Sequence, residues 1–325
     1  MALGAFACQL LRHAGLADES SCPLHSPRLI WSESYQKRQL SSLFQQNFGK
    51  ILTVLAGALT CRPNIPEQLA GESACPTTGY HGNVPTALVL SAGGMYAAWE
   101  VGVWKALREH IAIDLVVGAS AGAWNGWAIA GGATVGELER DWLDPATGRI
   151  LAWGPHSTGL LRPEALHRKS RDLCARYRPR IPFGLTVVEV PRLRTRLVRD
   201  CDVTWQHLAA SCTIPFCFPP VRIGRKYYVD GGLRGALPLW AAEAMGATRA
   251  IAVNSLTGWP FRGVHALLGQ RRAGAALEVI RIEPSEPLGR LRDSVVWSGP
   301  NITRWFALGE RDGTRALRSI TSITM

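Results

Sequence analysis

The chain reads as an α/β protein with a largely parallel sheet. Between residues 86 and 255, short apolar runs alternate with stretches of helical spacing. At two of the joins, glycines stand directly between the apolar run and the helical stretch. With 325 residues, 47% of them hydrophobic, the chain can bury a substantial core, and it shows no internal repeat or low-complexity tract. Two parts are expected: an N-terminal extension over 1–83 and a domain over 84–325.

The extension differs in pattern from the domain. Residues 34–59 can be read as an amphipathic helix, with Leu40, Leu43, Phe44, Phe48, Ile51, Leu52 and Leu55 on one face. Scattered Pro, Ser and Cys flank it. The apolar stretch 51–59 is too short to cross a bilayer, which needs about 20 apolar residues. The apolar stretch 2–11 lacks the basic start of a secretory signal. A membrane-surface helix, a covering for the domain and a largely disordered segment all remain open readings.

The first strand of the domain is expected at Thr86-Ala87-Leu88-Val89-Leu90-Ser91, running into Ala92-Gly93-Gly94-Met95-Tyr96-Ala97. A helix comes next, with Val101, Trp104 and Leu107 at spacings of three. Adjacent glycines between strand and helix leave backbone N–H groups free to meet an anion. A dinucleotide loop would need G-x-G-x-x-G, and only Gly93 and Gly94 fit that frame.

The next apolar run, Ile113-Asp114-Leu115-Val116-Val117, leads into Gly118-Ala119-Ser120-Ala121-Gly122 and a helix-compatible stretch. Strand, sharp turn and helix are the context in which G-x-S-x-G becomes a nucleophile elbow. Gly118 and Gly122 would let strand and helix approach, while Ser120 is held in strained φ/ψ near a helix N-terminus that favours developing negative charge. Taken alone, the pentapeptide fits a plain strand-to-helix turn as well. Further on, Lys226-Tyr227-Tyr228-Val229-Asp230-Gly231-Gly232 reads as a short strand ending in an acid and two glycines. Asp230 can face the crevice that holds Ser120; a surface β-turn is the simpler reading of that piece alone.

Together, the glycine loop, the G-x-S-x-G and the Asp-Gly-Gly resemble, in that order, the patatin-like phospholipase family. The stretches 101–107, 209–221, 237–240 and 246–254 resemble it too, so the likeness runs over roughly residues 84 to 318. The resemblance implies a three-layer α/β/α fold and a serine acyl hydrolase of phospholipid or lysophospholipid esters. It implies Ser120 as nucleophile, Asp230 as base, and Gly93, Gly94 and Met95 as oxyanion donors, with no cofactor and no metal. Tyr96 stands where the family usually has a basic residue, and Ala97 where it has glycine. Those departures put in question how the loop is held. Two rivals stand beside this reading: a catalytically silent lipid-binding protein, and a soluble esterase with a Ser-Asp-His triad.

His265 is the one histidine after Asp230 and so the candidate for that triad, though its neighbours suggest a surface position. No H-E-x-x-H or paired-cysteine spacing supports a metal hydrolase. Trp99, Trp104, Trp124, Trp127 and Phe216 fit either an acyl channel or ordinary core, and helices packed on a sheet favour core.

The net charge of +11 is uneven, with eleven basic residues against three acids between Arg162 and Arg199. A solvated arginine-rich face, attraction to an anionic membrane and nucleic-acid binding would each explain it. The expectation adopted is a lipid substrate with peripheral contact at an anionic membrane and no nucleic acid. The eight cysteines follow no scaffold spacing. Those at 174, 201, 212 and 217 are expected as buried thiols, and the chain as cytoplasmic.

Overall fold

The computed structural model describes residues 85–151, 153–156, 159–215, 217–257 and 271–324, with side chains of 153–156, 159–160 and 321–324 left aside. The extension 1–83 with its expected helix, Phe216 and His265 lie outside the described residues. In chain order the strands are β1 (Thr86–Leu90), β2 (Leu115–Ala119), β3 (Trp153–His156), β4 (Gly159–Leu161), β5 (Phe183–Val190), β6 (Arg194–Arg199), β7 (Val221–Ile223), β8 (Lys226–Asp230), β9 (Arg249–Val253) and β10 (Glu278–Ile282). The longer helices are α1 (Ala97–Leu107), α2 (Ala121–Ala130), α3 (Val135–Leu143), α4 (Glu164–Arg176), α5 (Trp205–Ser211), α6 (Leu239–Ala244) and α7 (Gly299–Thr324).

Eight strands form one sheet, ordered β10-β9-β1-β2-β5-β8-β7, with β6 also paired to β5. From β10 to β5 every pairing is parallel. The remaining pairings, β5 with β6, β5 with β8 and β7 with β8, are antiparallel. The sheet is therefore largely parallel with an antiparallel end. Because both faces of β1 and β2 are covered, their sequences read as continuous apolar runs. Leu88, Leu90 and Val116 join Phe183, Leu185, Trp99, Trp127 and Trp305 on one side. Ala87, Val89, Leu115 and Val117 meet Trp240, Ala241 and Met245 of the α6 layer on the other.

The tryptophans expected as channel or core are core. Trp99 and Trp127 are fully buried, and their indole N–H groups donate to Asp312 Oδ2 (3.0 Å) and to the Leu173 carbonyl (3.1 Å). Trp124 donates to the Leu208 carbonyl, and Trp104 packs half-buried against the same cluster. Helices α1 and α7 pack backbone to backbone. A Cβ on Gly102 would collide with the Phe306 carbonyl, and one on Gly309 with the Trp99 carbonyl.

The basic segment is divided between α4 and the β5–β6 hairpin. Its α4 part is partly neutralised: Lys169 and Arg176 pair with Asp141, and Arg171 lies over the Trp205 ring. Its β6 part engages the buried carboxylate of Glu189 through Arg196. Cys174, Cys212 and Cys217 are thiols, but Cys201 is disulfide-bonded, which corrects the expectation for that residue. Among the described residues no helix is long and apolar enough to cross a membrane.

Candidate active site

Strand β5 sets the spacing of the site. Its first half, up to Thr186, pairs with β2 so that Ala119 stands opposite Thr186. Its second half pairs with β8, and Asp230 stands opposite Val187. Residues 184–189 meanwhile pair with β6, so β2 and β8 must share the other edge of β5. The two strands run toward each other along that edge. One ends at Ala119, just before Ser120, and the other at Asp230, opposite adjacent positions of β5. The result is a hydrogen bond of 2.7 Å from Ser120 Oγ to Asp230 Oδ2.

Both side chains are buried to 6% exposure. Ser120 has φ 54° and ψ −133°, a left-handed conformation for a residue with a Cβ, and costs of about 1–3 kcal/mol are typical of such strain. What holds it is short-range. The Ser120 N–H donates to Ser211 Oγ (2.9 Å), and Ser211 Oγ donates to the Thr186 carbonyl (3.1 Å). A Cβ at Gly118 would meet Gly122 and Ala123 backbone, and one at Gly122 the Ser91 carbonyl. The elbow thus needs both flanking glycines for room.

Asp230 is fixed through its other oxygen. The Gly232 N–H donates to Oδ1 at 2.7 Å, and the Asp230 N–H donates to the Thr213 carbonyl at 2.9 Å. Gly231 and Gly232 lie against Thr186 and Ala92, where a Cβ would collide. Burial pushes the Asp230 carboxyl up to about 7, against the opposing pull of its hydrogen bonds with Ser120 and Gly232. Near neutrality the group exchanges its proton readily, as a general base requires.

The glycine loop follows β1 on the neighbouring strand. The N–H groups of Gly93, Gly94 and Met95 meet no acceptor among the described residues. Gly94 has φ 55°, and its Cα faces the Ser294 carbonyl too closely for any side chain. Tyr96, in the place of the usual cation, turns away from the site. Its hydroxyl donates to the Arg290 carbonyl (2.6 Å) and its ring stands edge-on to Trp305. The loop is held from behind by that anchor, without a charge.

Several buried polar residues at the site gave no motif signal. Ser91 Oγ donates to Glu100 Oε1 (3.0 Å) and accepts from the Ser255 N–H (2.9 Å). Asn125 Nδ2 donates to Glu100 Oε2 (3.2 Å), and Ser255 Oγ lies 3.4 Å from the Ala92 carbonyl. Ala92 O and Gly93 N–H belong to one peptide unit, so Ser255 sits on the back of the peptide whose N–H faces the loop. Burial pushes Glu100 up to about 8 despite these donors. Cys212 sits beside the pair. Burial first, and the Asp230 charge second, hold its thiol well above the usual range, while a hydrogen bond with Ser120 acts the other way. Ser91, Glu100, Asn125, Ser211, Cys212 and Ser255 are separated by up to the whole domain and become neighbours only through the sheet order.

Among the described residues no histidine bonds to Ser120 or Asp230. His167 and His207 pack on Trp205 and Tyr228 instead. No cluster of metal-ligating side chains occurs among the described residues.

A buried carboxylate is thus bonded to a strained serine at a strand–helix elbow. Residues 88–243 match the family model described as "Patatin-like phospholipase". Human patatin-like phospholipase domain-containing protein 6 is 27% identical over 181 residues, 52% of this chain and 13% of that protein. An uncharacterised NTE family protein of Mycobacterium tuberculosis is 27% identical over 182 residues, 52% of this chain and 48% of that protein. The chain therefore spans less than half the length of either relative. VipD from Legionella pneumophila superimposes with a TM-score of 0.45 at 13% identity, covering 73% of this chain and 67% of that one.

Proposed function

We propose that the chain is a serine acyl hydrolase of lipid esters, with phospholipid or lysophospholipid as the substrate class. The observation that carries this reading is the 2.7 Å bond from Ser120 Oγ to Asp230 Oδ2 at a strained elbow. In the reaction, Asp230 accepts the hydroxyl proton as Ser120 Oγ attacks the ester carbonyl. The tetrahedral oxyanion is held by the N–H groups of Gly93, Gly94 and Met95, where one lost donor typically costs about 2.7–4 kcal/mol. Collapse breaks the bond to the leaving alkoxide, which takes the proton from Asp230. Water then attacks the acyl-enzyme, gives a proton to Asp230, and the fatty acid leaves as Ser120 recovers its hydrogen. The match to the patatin-like phospholipase model supports lipid acyl hydrolysis in general, and a lipid substrate brings with it peripheral contact at a membrane surface.

A fluorophosphonate probe and a lipid panel test the reading on wild type, Ser120→Ala and Asp230→Asn. Wild type should be labelled and release fatty acid. Both variants should lose turnover by about 10³-fold or more. An unlabelled wild type would leave a silent lipid-binding protein as the better description. Loss on His265→Ala equal to that on Ser120→Ala would favour the triad.

A further inference from the structure

The antiparallel end of the sheet stands beyond the nucleophile. β2 stops at the level of Thr186, whereas β5 continues to Val190, and Val190 pairs with Tyr227 at the start of β8. From Asp230 back to Lys226 is four residues of strand, about 13 Å at roughly 3.3 Å each. The β5–β6 turn and the β7–β8 hairpin therefore project past the C-terminal edge of the parallel strands, the edge that carries Ser120.

The hairpin closes through Gly224 and Arg225, with Ile223 opposite Lys226 and Gly224 at φ 59°. Arg222 and Arg225 are exposed on it. Lys226 is 51% and Arg192, from the neighbouring turn, 69% exposed by side chain. Tyr227 is 47% exposed, unusual for a large aromatic among the described residues. Glu189, a carboxylate at this end, is 4% exposed by side chain, and its charge is shared among Arg192, Arg196 and Lys226. At the opposite end of the sheet, Glu283 and Glu286 follow β10, and Glu286 pairs with Arg311.

Resting on the lipid hydrolase reading, we infer that this projecting tip, Arg192, Arg222, Arg225, Lys226 and Tyr227, docks the enzyme on an anionic lipid surface. The charge fits phosphate-rich headgroups, and a tyrosine among cations suits the headgroup layer, where its ring is buried and its hydroxyl stays wet. A bilayer touching the tip faces the edge of the sheet at which Ser120 waits. Duplex nucleic acid offers the same charge but gives Tyr227 no apolar layer to enter.

The full-length chain is sedimented with phosphatidylcholine vesicles, with and without phosphatidylserine, across a salt series. The wild type should bind only the anionic vesicles, and less as salt rises. Arg222→Glu/Arg225→Glu should lower that partition by about 30-fold or more, at roughly fivefold per lost cation. Tyr227→Ala should lower it further without changing the salt slope. Arg178→Glu, an exposed charge near the start of β5 at the far edge, should not change it. Each variant should keep fluorophosphonate labelling of Ser120 and hydrolysis of a soluble ester, which shows that it is folded. Equal partition of the double variant, equal binding to neutral vesicles, or a duplex DNA complex that alone depends on Arg222 and Arg225 would overturn the inference. Partition is read without turnover, so a wild type that binds but fails to cleave soluble ester would sink the hydrolase reading and not this surface.

Discussion

Asp230 is buried, yet its partners all favour the ionised form: Ser120 Oγ–H on one oxygen and Gly232 N–H on the other. Desolvation outweighs them and leaves the group near 7. If this carboxylate is the base, kcat/KM on a soluble ester should climb about tenfold per pH unit below about 7 and level off above it. A profile flat from about pH 5 to about pH 8 would remove Asp230 from that role. The peptide between Ala92 and Gly93 offers a second check. Ser255 Oγ lies behind its carbonyl and would polarise the N–H on the other side. Ser255→Ala should therefore lower kcat by roughly tenfold with KM unchanged, the signature of an interaction made in the transition state. A rise in KM alone would make Ser255 a packing residue.

At the scale of elements, the strand–elbow–helix unit around Ser120 was legible because each of its requirements leaves a residue signature: apolar strand, flanking glycines, small helical residues. The partner strand was legible as a strand ending in Asp230, but its direction and neighbour were not. That β8 runs antiparallel and meets β2 end to end along β5 depends on pairings between residues 37 to 67 positions apart, and nothing local encodes it. Glu100 was missed for a related reason. The spacing of Val101, Trp104 and Leu107 marks one face of α1, but both faces are covered, the outer one by α7. That contact is testable. Gly309→Ala raises helix propensity by about 1 kcal/mol, but its Cβ would collide with backbone of α1, which cannot yield as a side chain can. Overpacking of this kind costs about 1–3 kcal/mol, so denaturant unfolding should show net destabilisation. Gly136→Ala in α3 has only the tip of Arg140 within reach, at 3.9 Å, and should stabilise by about 0.5–1 kcal/mol. If both substitutions moved stability the same way, the close α1–α7 approach would be wrong.

For the molecule as a whole, two buried acids make stability depend on pH. Glu100 is pushed from 4.5 to about 8 and Asp230 from 3.8 to about 7, in both cases chiefly by burial. An acid raised in the folded state holds its proton more tightly there than in the unfolded chain. Its stabilising contribution is complete below the unfolded value and is lost as pH rises through the folded one. The two windows overlap, so stability should fall from about pH 5 to about pH 8 and flatten above. Against its own burial, Glu189 is shifted the opposite way by Arg196 and Lys226, but its effect is confined to acid solution below the usual carboxylate range. Glu100→Gln separates the contributions. Glutamine matches the protonated acid, with one oxygen to accept from Asn125 and one N–H group to reach Ser91. Thermal unfolding of this variant should decline less steeply with pH than that of wild type, and the two curves should diverge most near pH 8. Asp230→Asn should flatten the lower part of the same window and abolish turnover, whereas Glu100→Gln should keep labelling of Ser120. Parallel curves for wild type and Glu100→Gln would mean that Glu100 is ionised in the folded protein, stabilised by the Ser91, Asn125 and Ser255 donors against the loss of water.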